Sequence, residues 1–114
     1  MEPLNLARSI VEALEDKKGE DILLLDLKDI APVGDYFVIC SAPSERQVQA
    51  IARHVQSELR QAGNTQLGME GLEEGNWVLA DFADVIFHIF LDSARFYYDL
   101  EGFWADADRV SIEK

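Results

Sequence analysis

Cysteine, histidine, proline and positive charge are all scarce in this 114-residue chain, and each shortage closes off a class of function. A single cysteine, Cys40, allows no internal disulfide, which fits a reducing, cytoplasmic compartment. Two histidines, His54 and His88, stand far apart, and with one thiol they make a poor ligand set for a metal that needs several convergent donors. Ten Lys and Arg face 22 Asp and Glu, a formal net charge of −12, so the counter-charge for direct nucleic-acid binding is missing. Neither GxGxxG nor GxxxxGK[ST] occurs, and the Gly-containing stretch EGLEEG is too acidic to cradle phosphate. No apolar run approaches the roughly 20 residues that span a bilayer. The segment MEPLNLARSIVEAL lacks the basic-then-apolar order of a secretory signal.

What is present is globular: 48% hydrophobic and 28% charged residues, with no repeat, linker or low-complexity tract, which predicts one domain over 1–114. Residues 3–18 carry apolar side chains at three- and four-residue steps, with Pro3 in the first turn and Gly19 placed to close the helix. DILLLDL and DYFVICS read as strands, separated by a Pro/Gly loop at 28–34. SERQ at 44–47 has the form of a capping box, opening a helix with Val48, Ile51, Ala52, Val55 and Leu59 on one face, ended by Gly63. Its outer face carries Arg46, Arg53, His54 and Arg60. TQLGMEG holds a short strand, and NWVLADFADVIFHIFL a hairpin. Ser93 is placed to cap a last helix reaching about Trp104, with Phe96, Tyr97, Leu100 and Trp104 on one face, Tyr98 and Asp99 off it, and a frayed polar tail from Asp106. The sum is an α/β fold: a mixed sheet of about five strands flanked by helices.

The hairpin raises the functional question. With a two-residue loop at Ala83-Asp84, Phe82 faces Val85, Ala80 faces Phe87 and Val78 faces Ile89, a wholly apolar side that belongs in the core. On the other side Trp77 faces Phe90, Leu79 faces His88 and Asp81 faces Ile86. Such a mixed side is either covered by a helix with Asp81 and His88 at the rim, or it is a docking face, where a Trp supplies buried area and an acid meets Lys or Arg. A three-residue loop would flip one strand's faces, and Ala83 argues against a turn that demands positive φ.

Catalytic chemistry finds little support. No strand carries the acid–apolar–acid alternation that holds Mg²⁺, and Cys40 after YFVI reads as a small buried hydrophobe, with a thiol–imidazole pairing to His88 the minor alternative. No cofactor and no metal site is expected. Acidity is uneven: residues 1–68 hold 11 acids and 7 bases, net −4, and residues 69–114 hold 11 acids and 3 bases, net −8, so the hairpin half carries most of the negative field. A basic protein or a cationic ligand fits that field; the alternative is that the acidity serves only to keep the chain in solution.

Three blocks, GDYFVIC with SERQVQAI, EG with NWVLADFADVIFHIF, and RFYYDLEGFW, together resemble the ribosomal silencing factor (RsfS, Iojap-related) family across nearly the whole chain. The resemblance implies a nucleotidyltransferase-like topology without the catalytic acids, and a non-enzymatic translation repressor that is a homodimer when free. It implies binding to ribosomal protein L-fourteen on the large subunit and steric exclusion of the small subunit under nutrient limitation. By position it carries the site to Trp77, Asp81 and His88, and to Tyr98 and Asp99 of the Tyr-Asp-Leu-Glu stretch; Leu79 and Glu70 complete the expected protein-binding set. The chain departs from the pattern at CSAPS and at Ala80, Phe82 and Ala83, which touches loop geometry. The rival readings are a Mg²⁺-dependent nucleotide-binding enzyme of the nucleotidyltransferase kind and a generic acidic adaptor.

Overall fold

The computed structural model describes residues 2–30 and 34–112, with the Phe103 side chain left aside; the centre of the loop expected at 28–34 lies outside the described residues. Six strands form one sheet in the order β3-β4-β5-β2-β1-β6. They are β1 (Glu20–Asp26), β2 (Tyr36–Ala42), β3 (Gly68–Glu70), β4 (Trp77–Asp81), β5 (Val85–Leu91) and β6 (Asp108–Arg109). Only β2 and β5 pair in parallel; the remaining neighbours are antiparallel. The predicted sheet of about five strands is there, with β6 added.

Two long helices, α1 (Pro3–Asp16) and α2 (Glu45–Gln61), cover one face. Pro3 occupies the first turn of α1, where its missing N–H costs nothing. Both helices end in a Schellman pattern. At α2, Gly63 N–H donates to Arg60 O (2.9 Å) and Asn64 N–H to Leu59 O (2.7 Å), with Gly63 at φ +88°. At α1 the left-handed residue is Lys18 (φ +59°), not the expected Gly19. Gly19 comes one position later, where an added Cβ would press on the Leu14 carbonyl and the Cys40 sulfur. Ser44 caps α2 by accepting from the Gln47 N–H (3.2 Å), while its own hydroxyl donates to Gln47 Oε1 (3.1 Å). The Gln47 side chain therefore meets the Ser44 hydroxyl rather than its backbone.

Between the helices and the sheet lie Ile10, Leu14, Val38, Val55, Val78, Phe87 and Ile89, all essentially solvent-free. Alternation along each strand places Leu25, Phe37, Ile39 and Phe90 on the opposite face. There the cover is short: α3 (Asp92–Tyr98) and α4 (Leu100–Phe103), which lay Leu100 and Trp104 against that second cluster.

Two expectations for the C-terminal region need correction. The helix begins at Asp92 after Leu91, without a Ser93 cap, and it breaks at Asp99, whose backbone is left-handed (φ +46°). The break turns Phe96 and Tyr97 away from the face they were expected to share with Leu100 and Trp104, and they stand 89% and 81% exposed. Asp99 then caps α4, its Oδ1 accepting from Gly102 N–H (3.2 Å). The tail is not frayed over its described part: Asp108 and Arg109 pair with β1, Val110 N–H donates to Leu24 O (2.8 Å), and Val110 and Ile112 pack on the core.

Candidate protein-docking face

The hairpin register is the one the two-residue loop predicts: Trp77 opposite Phe90, Leu79 opposite His88, Asp81 opposite Ile86. The objection drawn from Ala83 fails, because Ala83 adopts φ +70°. Local bonds hold it there. Asp81 Oδ1 accepts from Ala83 N–H (2.7 Å), and Asp84 N–H donates to Phe82 O (3.0 Å). Gly71, ahead of β4, is needed as glycine: a Cβ there would overlap the Trp77 carbonyl.

Register across the sheet then builds the face row by row. One row runs Glu70, Leu79, His88, Ile39; the next runs Asp81, Ile86, Phe37, Leu25. Leu100 and Trp104 roof the β2 end, with Trp104 edge-on to Phe37 at 6.0 Å between centroids. The β4 end stays open. The result is an apolar groove of about 450 Å³ lined by Phe37, Leu79, Asp81, Ile86, His88, Leu100 and Trp104.

Of the residues expected at the site, Leu79, Asp81 and His88 meet in this groove. Trp77 stands behind it, half-buried: its ring stacks on Phe90 at 4.9 Å and packs on Tyr98 at 4.8 Å, and its Nε1–H donates to His88 Nδ1 at 3.0 Å. Tyr98 covers Trp77 from the solvent side while remaining 52% exposed. Glu70 is exposed on the edge strand in the Leu79 row, so it adds charge to the rim. Asp99 goes elsewhere. With Glu20, Asp21, Ser41, Asp92, Arg95, Phe96 and Glu101 it lines a separate polar hollow of about 500 Å³. Arg95 ties that region together, bonding Glu101 through two nitrogens (3.0 and 3.1 Å) and Ser41 Oγ (3.1 Å), so α3, α4 and β2 are joined across the Asp99 break. Asp92 beside Glu20 raises the Glu20 carboxyl above its ordinary range by like-charge repulsion.

Sequence reasoning placed Ile86 on the mixed side but left it, with Phe37, Leu100 and Trp104, out of the expected contact set. For Phe37 and Ile86 the signal was present in strand alternation. For Leu100 and Trp104 it depended on the break at Asp99, which propensity does not show.

His88 is 3% exposed, and burial lowers its imidazole from 6.5 to about 4, so the ring is neutral at pH 7. Cys40 cannot pair with it. In the β2–β5 register His88 aligns with Ile39, so Cys40 points to the opposite face, where burial pushes its thiol up to about 12. Among the described residues, the three donors able to converge on one ion are Asp16, His54 and Glu58, at the surface between α1 and α2 and remote from the groove. No helix among the described residues is long and apolar enough to cross a membrane.

The chain is a domain of the α/β class with an apolar groove, Asp81 in its wall, on the less covered face of its sheet. The sequence profile described as "Ribosomal silencing factor during starvation" (RsfS) matches residues 1–114, and the chain belongs to this family. The Bacillus subtilis ribosomal silencing factor RsfS is 41% identical over 113 residues, covering 99% of this chain and 96% of that protein. The chloroplastic protein Iojap of Zea mays is 32% identical over 114 residues, covering 97% of this chain and 48% of that protein. A crystal structure of a Chromobacterium violaceum protein superposes with TM-score 0.90 at 40% identity, covering 97% of this chain and 92% of that one. A Bacillus halodurans crystal structure gives TM-score 0.80, also at 40% identity, with 95% of each chain covered.

Proposed function

We propose that this protein represses translation under nutrient limitation by docking its open sheet face on the basic ribosomal protein L-fourteen of the large subunit, so that its bulk keeps the small subunit from joining. The carrying observation is the groove itself: an apolar floor with Asp81 inside and Glu70 on the rim, in a chain of net charge −12. Apolar walls supply buried area, and the acids pair with Lys or Arg and speed encounter. Membership of a regulatory family supports a binding role rather than catalysis. On this reading the protein works in the cytoplasm and is a homodimer when free.

Co-sedimentation with purified ribosomal subunits tests it. The protein should pellet with the large subunit and not the small one, and less so as salt rises. Folded Trp77→Ala should lose about 2 kcal/mol or more of binding, and Asp81→Arg should release the protein at moderate salt. Retention on the small subunit, or undiminished pelleting of both variants, overturns the proposal.

A further inference from the structure

We infer that His88 is a recognition residue: its Nε2–H, buried behind the groove wall, donates to a backbone carbonyl of a basic protein loop that enters the groove and moves a wall side chain aside. The inference rests on the docking reading above and specifies its chemistry. Three observations carry it. First, Trp77 Nε1 has only a hydrogen to offer, so its 3.0 Å bond makes His88 Nδ1 the acceptor and leaves the proton of the neutral ring on Nε2. Second, that Nε2 is fully buried and has no hydrogen-bond partner among the described residues. Buried polar groups are nearly always paired, so an orphan donor is the exception that asks for a reason. Third, His88 is itself part of the groove wall, amid Phe37, Leu79, Ile86, Leu100 and Trp104.

The surroundings choose the acceptor. Asp81 shares the groove and would repel a carboxylate or phosphate. A single donor set in apolar walls suits a group that accepts one bond and brings apolar neighbours with it, which a peptide carbonyl in a protruding loop does. A nearby loop N–H or basic side chain can then meet Asp81. Leu79, Leu100 and Trp104 border the site and are only partly buried, so a rotamer change in one of them admits the carbonyl. Trp77 acts as a positioning residue, holding the tautomer that keeps the proton on Nε2.

The test uses the full chain labelled with ¹⁵N-histidine and purified ribosomal protein L-fourteen as the probe. Free, His88 should show the neutral Nε2–H tautomer at pH 7. In the complex its Nε2–H proton should move downfield and exchange with water at least about tenfold more slowly, and His88→Phe should weaken binding about tenfold, the scale of one buried neutral hydrogen bond. Saturable binding with an unchanged Nε2–H resonance overturns this inference and leaves the docking proposal standing, as does a folded His88→Phe that binds within about twofold of the parent. Absence of binding to both L-fourteen and the large subunit overturns the two together. If His88→Phe does not fold, the resonance of the unsubstituted protein decides.

Discussion

Phe87 and His88 are neighbours on β5, and they live in different environments. Phe87 points toward α1 and α2, two helices of 14 and 17 residues whose apolar stripes close over the sheet without a gap. His88 points toward α3 and α4, which have 7 and 4 residues and a left-handed break between them. The first face is almost wholly apolar; its Tyr36 hydroxyl is satisfied by the Lys28 ammonium (3.0 Å). The second face has room for an indole–imidazole hydrogen bond, a carboxylate and an open groove. Cover length therefore decides which side of the ribbon is sealed and which keeps an open groove.

The sharpest way to break this comparison is to truncate a large apolar side chain on each face. Phe87→Ala should cost about 3–5 kcal/mol of unfolding free energy, since a sealed core cannot collapse around the lost ring. Leu79→Ala, on the half-open face, should cost about 1 kcal/mol or less in stability while weakening large-subunit binding. Urea denaturation of the two variants reads the difference. Equal losses would mean that the groove face is structural.

Next in size is a pH effect confined to the open face. The folded His88 imidazole sits at about 4 against 6.5 unfolded, so the unfolded chain takes up the proton first. The stability linked to this group is complete above pH 6.5 and is lost as pH falls toward 4, about 3 kcal/mol in all. Carboxylates titrate in the lower part of that window, so the measurement is the gap between the stability–pH curves of the parent and His88→Phe. The parent-minus-variant difference should shift against the parent as pH falls from 6.5 toward 4; parallel curves would mean that His88 is not held neutral by burial. Cys40, on the sealed face, adds nothing in this range, because its thiol stays protonated up to about 12.

How much of this was legible in the sequence follows the same division. The hairpin's period-two pattern, taken with the simplest two-residue loop, matched the observed register down to Leu79 opposite His88, while the loop length itself stayed open because Ala83 spoke against a positive φ. The α2 stripe and its closure at Gly63 were equally plain, because both ends carry local chemistry. What escaped depends on contacts made at a distance or on local strain. Asp108 and Arg109 form a strand only because the β1 edge is there to pair with. The turn at Asp99 is steadied by the Arg95–Glu101 pair on either side of it, and without that turn Leu100 and Trp104 would not roof the groove. Lys18 shows the same limit at the end of α1, taking the left-handed position that Gly19 appeared to be placed for.

The smallest expected effect concerns the loop that joins β4 to β5. Ala83 holds φ +70°, a conformation that costs an L-residue about 1–2 kcal/mol and glycine nearly nothing. Ala83→Gly removes that strain but gives the unfolded chain more freedom, which offsets part of the gain. A net stabilisation of about 0.5–1 kcal/mol should remain, read as a higher urea midpoint with an unchanged slope. Large-subunit binding should not change, because the residue-83 N–H still donates to Asp81 Oδ1 and the carboxylate keeps its place at the groove. A lower midpoint would show that the Ala83 methyl contributes more by contact than its backbone costs. A change in binding would show that the loop, and not the two rows behind it, sets the groove.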